Sequence, residues 1–133
     1  MPIPSAVRVA RRFVAQRDNE ELNELVRRLW PGLLQAYEQV MKTAPSPPPL
    51  VIQFGTKGLE PEAIARHRRP HEGIEHSTIT INPKAMGDYL TEVVKHELIH
   101  YVLGMRPKIE TEMHPPEFLA MAELLGLPQR YRD

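Results

Sequence analysis

Two histidines four residues apart, His96 and His100, enclose Glu97 in the sequence H-E-L-I-H. On a helix, positions four apart are neighbours on one face, so the two imidazoles would stand close enough to share one cation. That spacing suits zinc. Glu97 falls about 100° further round the helical wheel, near the pair but pointing aside, where a carboxylate can hold a water on the metal without ligating it. This is the arrangement that metal-assisted hydrolysis needs.

A shuffled chain of this length and composition, with its six histidines, would contain H-E-x-x-H about 3% of the time, so the pattern alone decides little. Its surroundings decide more. On a wheel with His96 at zero, Leu90, Val94, Leu98, Tyr101 and Val102 fill the opposite arc, while Tyr89, Val93, Ile99 and Leu103 flank the histidines. A helix apolar on nearly every side is buried, and His, Glu and His on it would lose their water unless something binds them. The plainer alternative is a core helix with two ordinary histidines, one of them hydrogen-bonded in the interior.

Catalytic zinc takes three protein ligands and keeps one position for water, so the pair needs a partner. Gly104 can end the helix in the left-handed conformation and turn the chain back. Ten residues then lead to His114, a reach of up to ~33 Å, which makes His114 the expected third ligand. Glu110, Glu112, Glu117 or Glu123 could take its place, the last two from the following helix. His67, His71 and His76 precede the motif in or near turns, and are expected to face solvent.

The elements that must carry these residues are legible in outline, and they describe an α+β fold in a single domain over residues 1–133. An amphipathic helix is expected from Ser5 to Arg17, with Val7, Ala10, Phe13 and Val14 on one side. Asp18 or Asn19 can cap the next helix, whose first turn holds Glu20, Glu21 and Glu24 and whose apolar positions include Leu22, Leu25, Val26 and Leu29. Pro31 interrupts that pattern, so a kink or break near Trp30 is expected. Together these form a helical arm over 1–44. Pro45-Ser46-Pro47-Pro48-Pro49 is a short rigid connection. A small sheet of two or three strands follows over 50–82: Leu50 to Phe54, Ala63 to Arg69, and Ile74 to Asn82, where Ile79 and Ile81 share one face and Thr78 and Thr80 the other. The H-E-L-I-H helix then spans 86–104. A loop with the third ligand and a last helix from Pro116 to Gly126 complete the chain over 105–127.

Composition removes several classes of function. The 133 residues have zero formal net charge, which leaves no global electrostatic argument for nucleic acid or anionic membrane. Cysteine is absent, and with it disulfides, thiolate zinc ribbons and a cysteine nucleophile. No apolar run approaches the ~18 to 20 residues of a membrane span, and the N-terminus lacks the apolar core of a secretion signal. The expected setting is the cytoplasm, without membrane contact. Residues 1–17 carry Arg8, Arg11, Arg12 and Arg17 and no acid, a composition shared by organelle transit peptides but read here as a basic helix turn.

The stretch V-V-K-H-E-L-I-H-Y-V-L-G followed by T-E-M-H-P-P-E-F resembles the SprT-like zinc metallopeptidases, the group that includes Spartan-type proteases of DNA–protein crosslinks. In that family H-E-x-x-H is followed, after a loop, by a third histidine in an H-G-x-x-F-like sequence. The resemblance covers about His76 to Leu125. It implies a zincin-like fold, one zinc ion held by His96, His100 and His114, and Glu97 as general base. The chain departs from the pattern at Pro115, where the family usually has glycine, and in lacking the cysteine-rich ribbon, so DNA recruitment by that route is not expected.

Three neutral imidazoles leave the ion its full charge, which lowers the pKa of bound water toward ~7. Glu97 would take that proton and return it to the leaving amine. A protein or peptide substrate is expected to pair with Ser77 to Ile81 as an added edge strand, by analogy with zincins generally. Tyr101, Tyr131, His76 and Arg106 are the available oxyanion donors. A rival reading is a zinc-stabilised binding or regulatory domain with little proteolysis, against which the intact Glu97 weighs. A nucleic-acid-associated protease would use Arg66, Arg68 and Arg69 or the N-terminal arginines, although a basic run is more often a solvated face.

Overall fold

The computed structural model describes residues 17–60, 63–104 and 115–128. Among them the chain forms helix α1 (Asn19–Met41), strands β1 (Leu50–Phe54), β2 (Ala65–Arg68) and β3 (Ser77–Ile81), and helices α2 (Gly87–Leu103) and α3 (Pro116–Leu124). The architecture is α+β. No helix among the described residues is long and apolar enough to cross a membrane. The helix expected from Ser5 lies outside the described residues except for Arg17.

Asp18 starts α1 as read from the sequence: its carboxylate accepts the Glu20 N–H at 2.9 Å, satisfying one of the donors a helix start leaves open. Of the kink or break expected near Trp30, the break does not occur: α1 runs through Pro31 to Met41. Pro31 is exposed, so the Arg27 carbonyl that it leaves without an amide donor lies on the side facing solvent. The inward face is kept by Leu22, Leu25, Leu33 and Ala36, all buried.

Arg17, just before the helix, fixes where α1 begins relative to the rest. Its guanidinium donates to the carbonyls of Pro83, at 2.7 Å, and Ala85, pairs with Glu21 at 2.6 Å, and lies 4.1 Å from the centre of the Phe54 ring. Those carbonyls belong to the turn that leads into α2. The start of one helix thus anchors the start of the other.

The sheet has the order β1-β3-β2, with β1 parallel and β2 antiparallel to β3. Alternation decides its inner face: Ser77, Ile79 and Ile81 are buried, while Thr78 and Thr80 are only partly covered. Because β3 is central, both its edges already hold ladder hydrogen bonds, and the expectation that a substrate would add to Ser77–Ile81 as an edge strand is wrong. The rigid proline connection also bonds inward, since Pro49 accepts the Ser77 N–H at 2.8 Å and Pro48 accepts the Tyr101 hydroxyl.

The same alternation on β2 turns Arg66 and Arg68 to solvent and His67 inward. His67 is therefore not the exposed side chain expected from its place near a turn. Its ring meets Tyr101 edge-on, with centroids 6.1 Å apart, and its Nε2 is buried with no hydrogen-bond partner among the described residues. Burial, reinforced by the charge of Arg69, lowers its pKa to about 4. The folded state thus keeps this imidazole neutral where an unfolded chain would protonate it, so stability falls as the pH drops from about 6.5 to about 4. In urea melts between pH 7 and pH 4, His67→Phe is expected to lose less stability on acidification than wild type; equal losses would show that His67 does not titrate in this way.

Candidate metal centre

Helix α2 places His96, Glu97 and His100 as their spacing requires. Leu90, Val93, Val94, Leu98, Ile99, Tyr101 and Val102 are all buried around them, against β2, β3, α1 and α3. At its end Gly104 adopts φ 64°, the left-handed conformation expected there, and its N–H bonds back to Tyr101 at 3.2 Å. Arg69 donates to the Gly104 carbonyl at 3.3 Å, which ties this corner to the end of β2. His100 lies in the last turn, where the partial negative charge of the helix end favours a cation.

The two imidazoles converge. Their Nε2 atoms are 3.3 Å apart and the rings are 4.9 Å between centroids, inclined at 73°. A tetrahedral ion with Zn–N bonds of ~2.05 Å has an edge of about 3.3 Å between adjacent nitrogens. The pair therefore has the separation that one zinc ion would impose, and without an ion one ring N–H can donate to the other at that distance. Phe118, at the start of α3, lies against both rings, 5.1 Å from His96 and 4.5 Å from His100.

Glu97 is 8% exposed, the most deeply buried charged residue among those described. Burial alone pushes its pKa up to about 7, from an ordinary value near 4.5. Tyr101 is the next residue round the helix from His100, but its hydroxyl is committed to the Pro48 carbonyl, which argues against a role for it as oxyanion donor.

Among the described residues no third His, Cys, Asp or Glu joins the pair in a group able to hold a metal ion. Glu117 and Glu123 lie exposed on α3 and do not complete the site; His67, on β2, does not either. His114, Glu110 and Glu112 fall outside the described residues, as do Arg106 and Tyr131. Pro115, which does lie within them, has φ −69° as the cap of α3, a conformation that needs no glycine.

The SprT-like family model matches residues 32–131. The chain belongs to the SprT-like family. No curated protein and no solved structure matches it. In this SprT-like chain the matched region starts inside α1 and takes in the sheet, α2 and α3. Arg17 lies before the matched region, whereas the Pro83 and Ala85 carbonyls that it bonds lie within it.

By type and place in the last helix Phe118 is a packing residue, and its contact with both imidazoles is visible only in the structure. The available signal was position: Phe118 is the first large apolar residue after Pro115-Pro116, four residues beyond His114.

The buried carboxyl supplies a test. A carboxyl whose folded pKa is raised costs nothing well below its unfolded value, destabilises progressively as pH rises from about 4.5 to about 7, and costs a constant amount above that. In protein stripped of metal, Glu97→Gln is expected to match wild type near pH 4.5 and to be more stable by up to about 3 kcal/mol at pH 8. Equal stability at both pH values in chemical denaturation would mean that Glu97 is solvated.

Proposed function

We propose that this SprT-like chain is a zinc-dependent peptidase with a zincin-like fold, hydrolysing peptide bonds in protein or peptide substrates. The observation that carries the reading is the pair of Nε2 atoms 3.3 Å apart on a buried helix, with Glu97 beside them. His96 and His100 would hold the ion, with His114 as third ligand. Zinc bound there would supply a Lewis acid for the scissile carbonyl and a water acidified toward neutral pH.

The chain's own residues do the rest. A carboxylate oxygen of Glu97 takes up a proton and delivers it to the leaving amine. Its position one residue after His96, on the same turn as the pair, keeps it beside the ligands without joining them. The apolar surround of α2 limits the number of waters that can reach this carboxylate, which strengthens its interactions at the reacting centre. Family membership supports a peptidase-like role of this kind.

Metal analysis combined with a casein-type cleavage assay tests the proposal. Protein purified without chelator is expected to contain one zinc per chain and to cleave. Glu97→Gln should keep the zinc and lose activity by roughly 100-fold or more. Protein that carries no zinc, or a Glu97→Gln variant as active as wild type, would contradict it.

The proposal extends to DNA-associated protein substrates through the exposed Arg66 and Arg68 on β2, an edge strand of the sheet. Binding to single-stranded DNA is then expected to weaken steeply with salt, and Arg66→Ala with Arg68→Ala to reduce the slope by about two phosphate contacts. Weak binding that is flat in salt would remove the extension and leave the peptidase reading as it stands.

A further inference from the structure

Phe118 is wholly buried, and its ring lies against two side chains at once: His100 at 4.5 Å with the planes inclined at 37°, and His96 at 5.1 Å and 69°. Both geometries fall within the range of favourable aromatic pairs. A histidine's terminal torsion is broad, so an imidazole on a helix turns easily unless something occupies the space beside its plane. Phe118 is in contact with both rings, tilted against His100 and edge-on to His96, so neither can turn freely through the space it fills. We infer that Phe118 is a positioning residue that sets the orientation of the His96 and His100 imidazoles before any ion arrives, an inference that rests on the metal-site reading above.

The element that carries Phe118 is held firmly enough for this. Pro116 opens α3 at a position where its missing N–H is no loss. Met121 and Ala122 bury the rest of the inner face, and Lys95 of α2 donates across to the Leu125 carbonyl at 3.1 Å, closing the far end of α3 on the same helix that bears the histidines. Phe118 cannot draw back without lifting α3 from α2. With two ligands already at 3.3 Å, binding an ion need not first order their rings. Outer-shell groups that hydrogen-bond metal ligands change affinity by roughly 10- to 100-fold when altered, and a ring that acts on orientation alone is expected at the lower end of that range.

The test compares zinc dissociation constants, measured by competition with a chromophoric chelator, for wild type, Phe118→Leu, Phe118→Met and Ile52→Val. Ile52 is buried in β1, which packs on α1 and β3, so this variant controls for a general loss of core packing. Phe118→Met keeps an apolar side chain of adaptable shape without the ring plane, and serves if the leucine variant fails to fold. Both Phe118 variants are expected to bind zinc about 10-fold more weakly than Ile52→Val, and the imidazole proton resonances of the metal-free protein to show averaging that wild type lacks. Affinity equal to that of Ile52→Val would overturn the positioning role while leaving the metal site intact. Failure of wild type itself to bind zinc would overturn both.

Discussion

A helix that is apolar on nearly all sides leaves water, and α2 takes Glu97 with it while His96 and His100 stay half-buried at its edge. An isolated carboxyl in such a setting is costly, and the cost shows directly in Glu97, whose pKa rises to about 7 through burial alone. The surrounding elements exist in this arrangement because they cover α2. The sheet closes one side through β2 and β3, and the helices α1 and α3 close the others.

Two fastenings keep that helix in place. At its start the Arg17 guanidinium bonds the Pro83 and Ala85 carbonyls, which ties the turn before α2 to the start of α1. Near its middle Lys95 reaches the end of α3. Between them the His96 and His100 rings lie under Phe118, and the result is a converging pair of nitrogens on a rigid support rather than on a loop.

The convergence of His96 and His100 on one helix face was legible in the sequence because helical geometry is strict: residues four apart share a face whatever surrounds them, and the apolar flanks of H-E-L-I-H announce burial. Gly104, Asp18 and the strand at Leu50 were readable for equally local reasons. What failed depended on tertiary placement. A break was one of the two outcomes expected near Trp30, yet α1 is continuous through Pro31, which sits on its exposed side. Ser77–Ile81 was expected to offer an edge, yet strand order is set by partners distant in sequence, and β3 became central. His67 was placed in solvent from its neighbours, whereas the two-residue period of β2 turns it under the sheet. Phe118 could be recognised as core from its type, but its alignment on two imidazoles depends on how α3 docks.

A peptidase of this kind requires one ion that shares the His96 and His100 nitrogens while keeping a position for solvent. Zinc-edge X-ray absorption on the purified protein measures this most directly. The expected spectrum is a four-coordinate site with three imidazole nitrogens at ~2.0 to 2.1 Å, the third from His114, and one further light-atom ligand that is lost or exchanged when an inhibitor with a zinc-binding group is added. Zinc bound by four protein ligands and unmoved by such an inhibitor would contradict the catalytic reading, and absence of zinc from the His96 and His100 pair would contradict the account altogether.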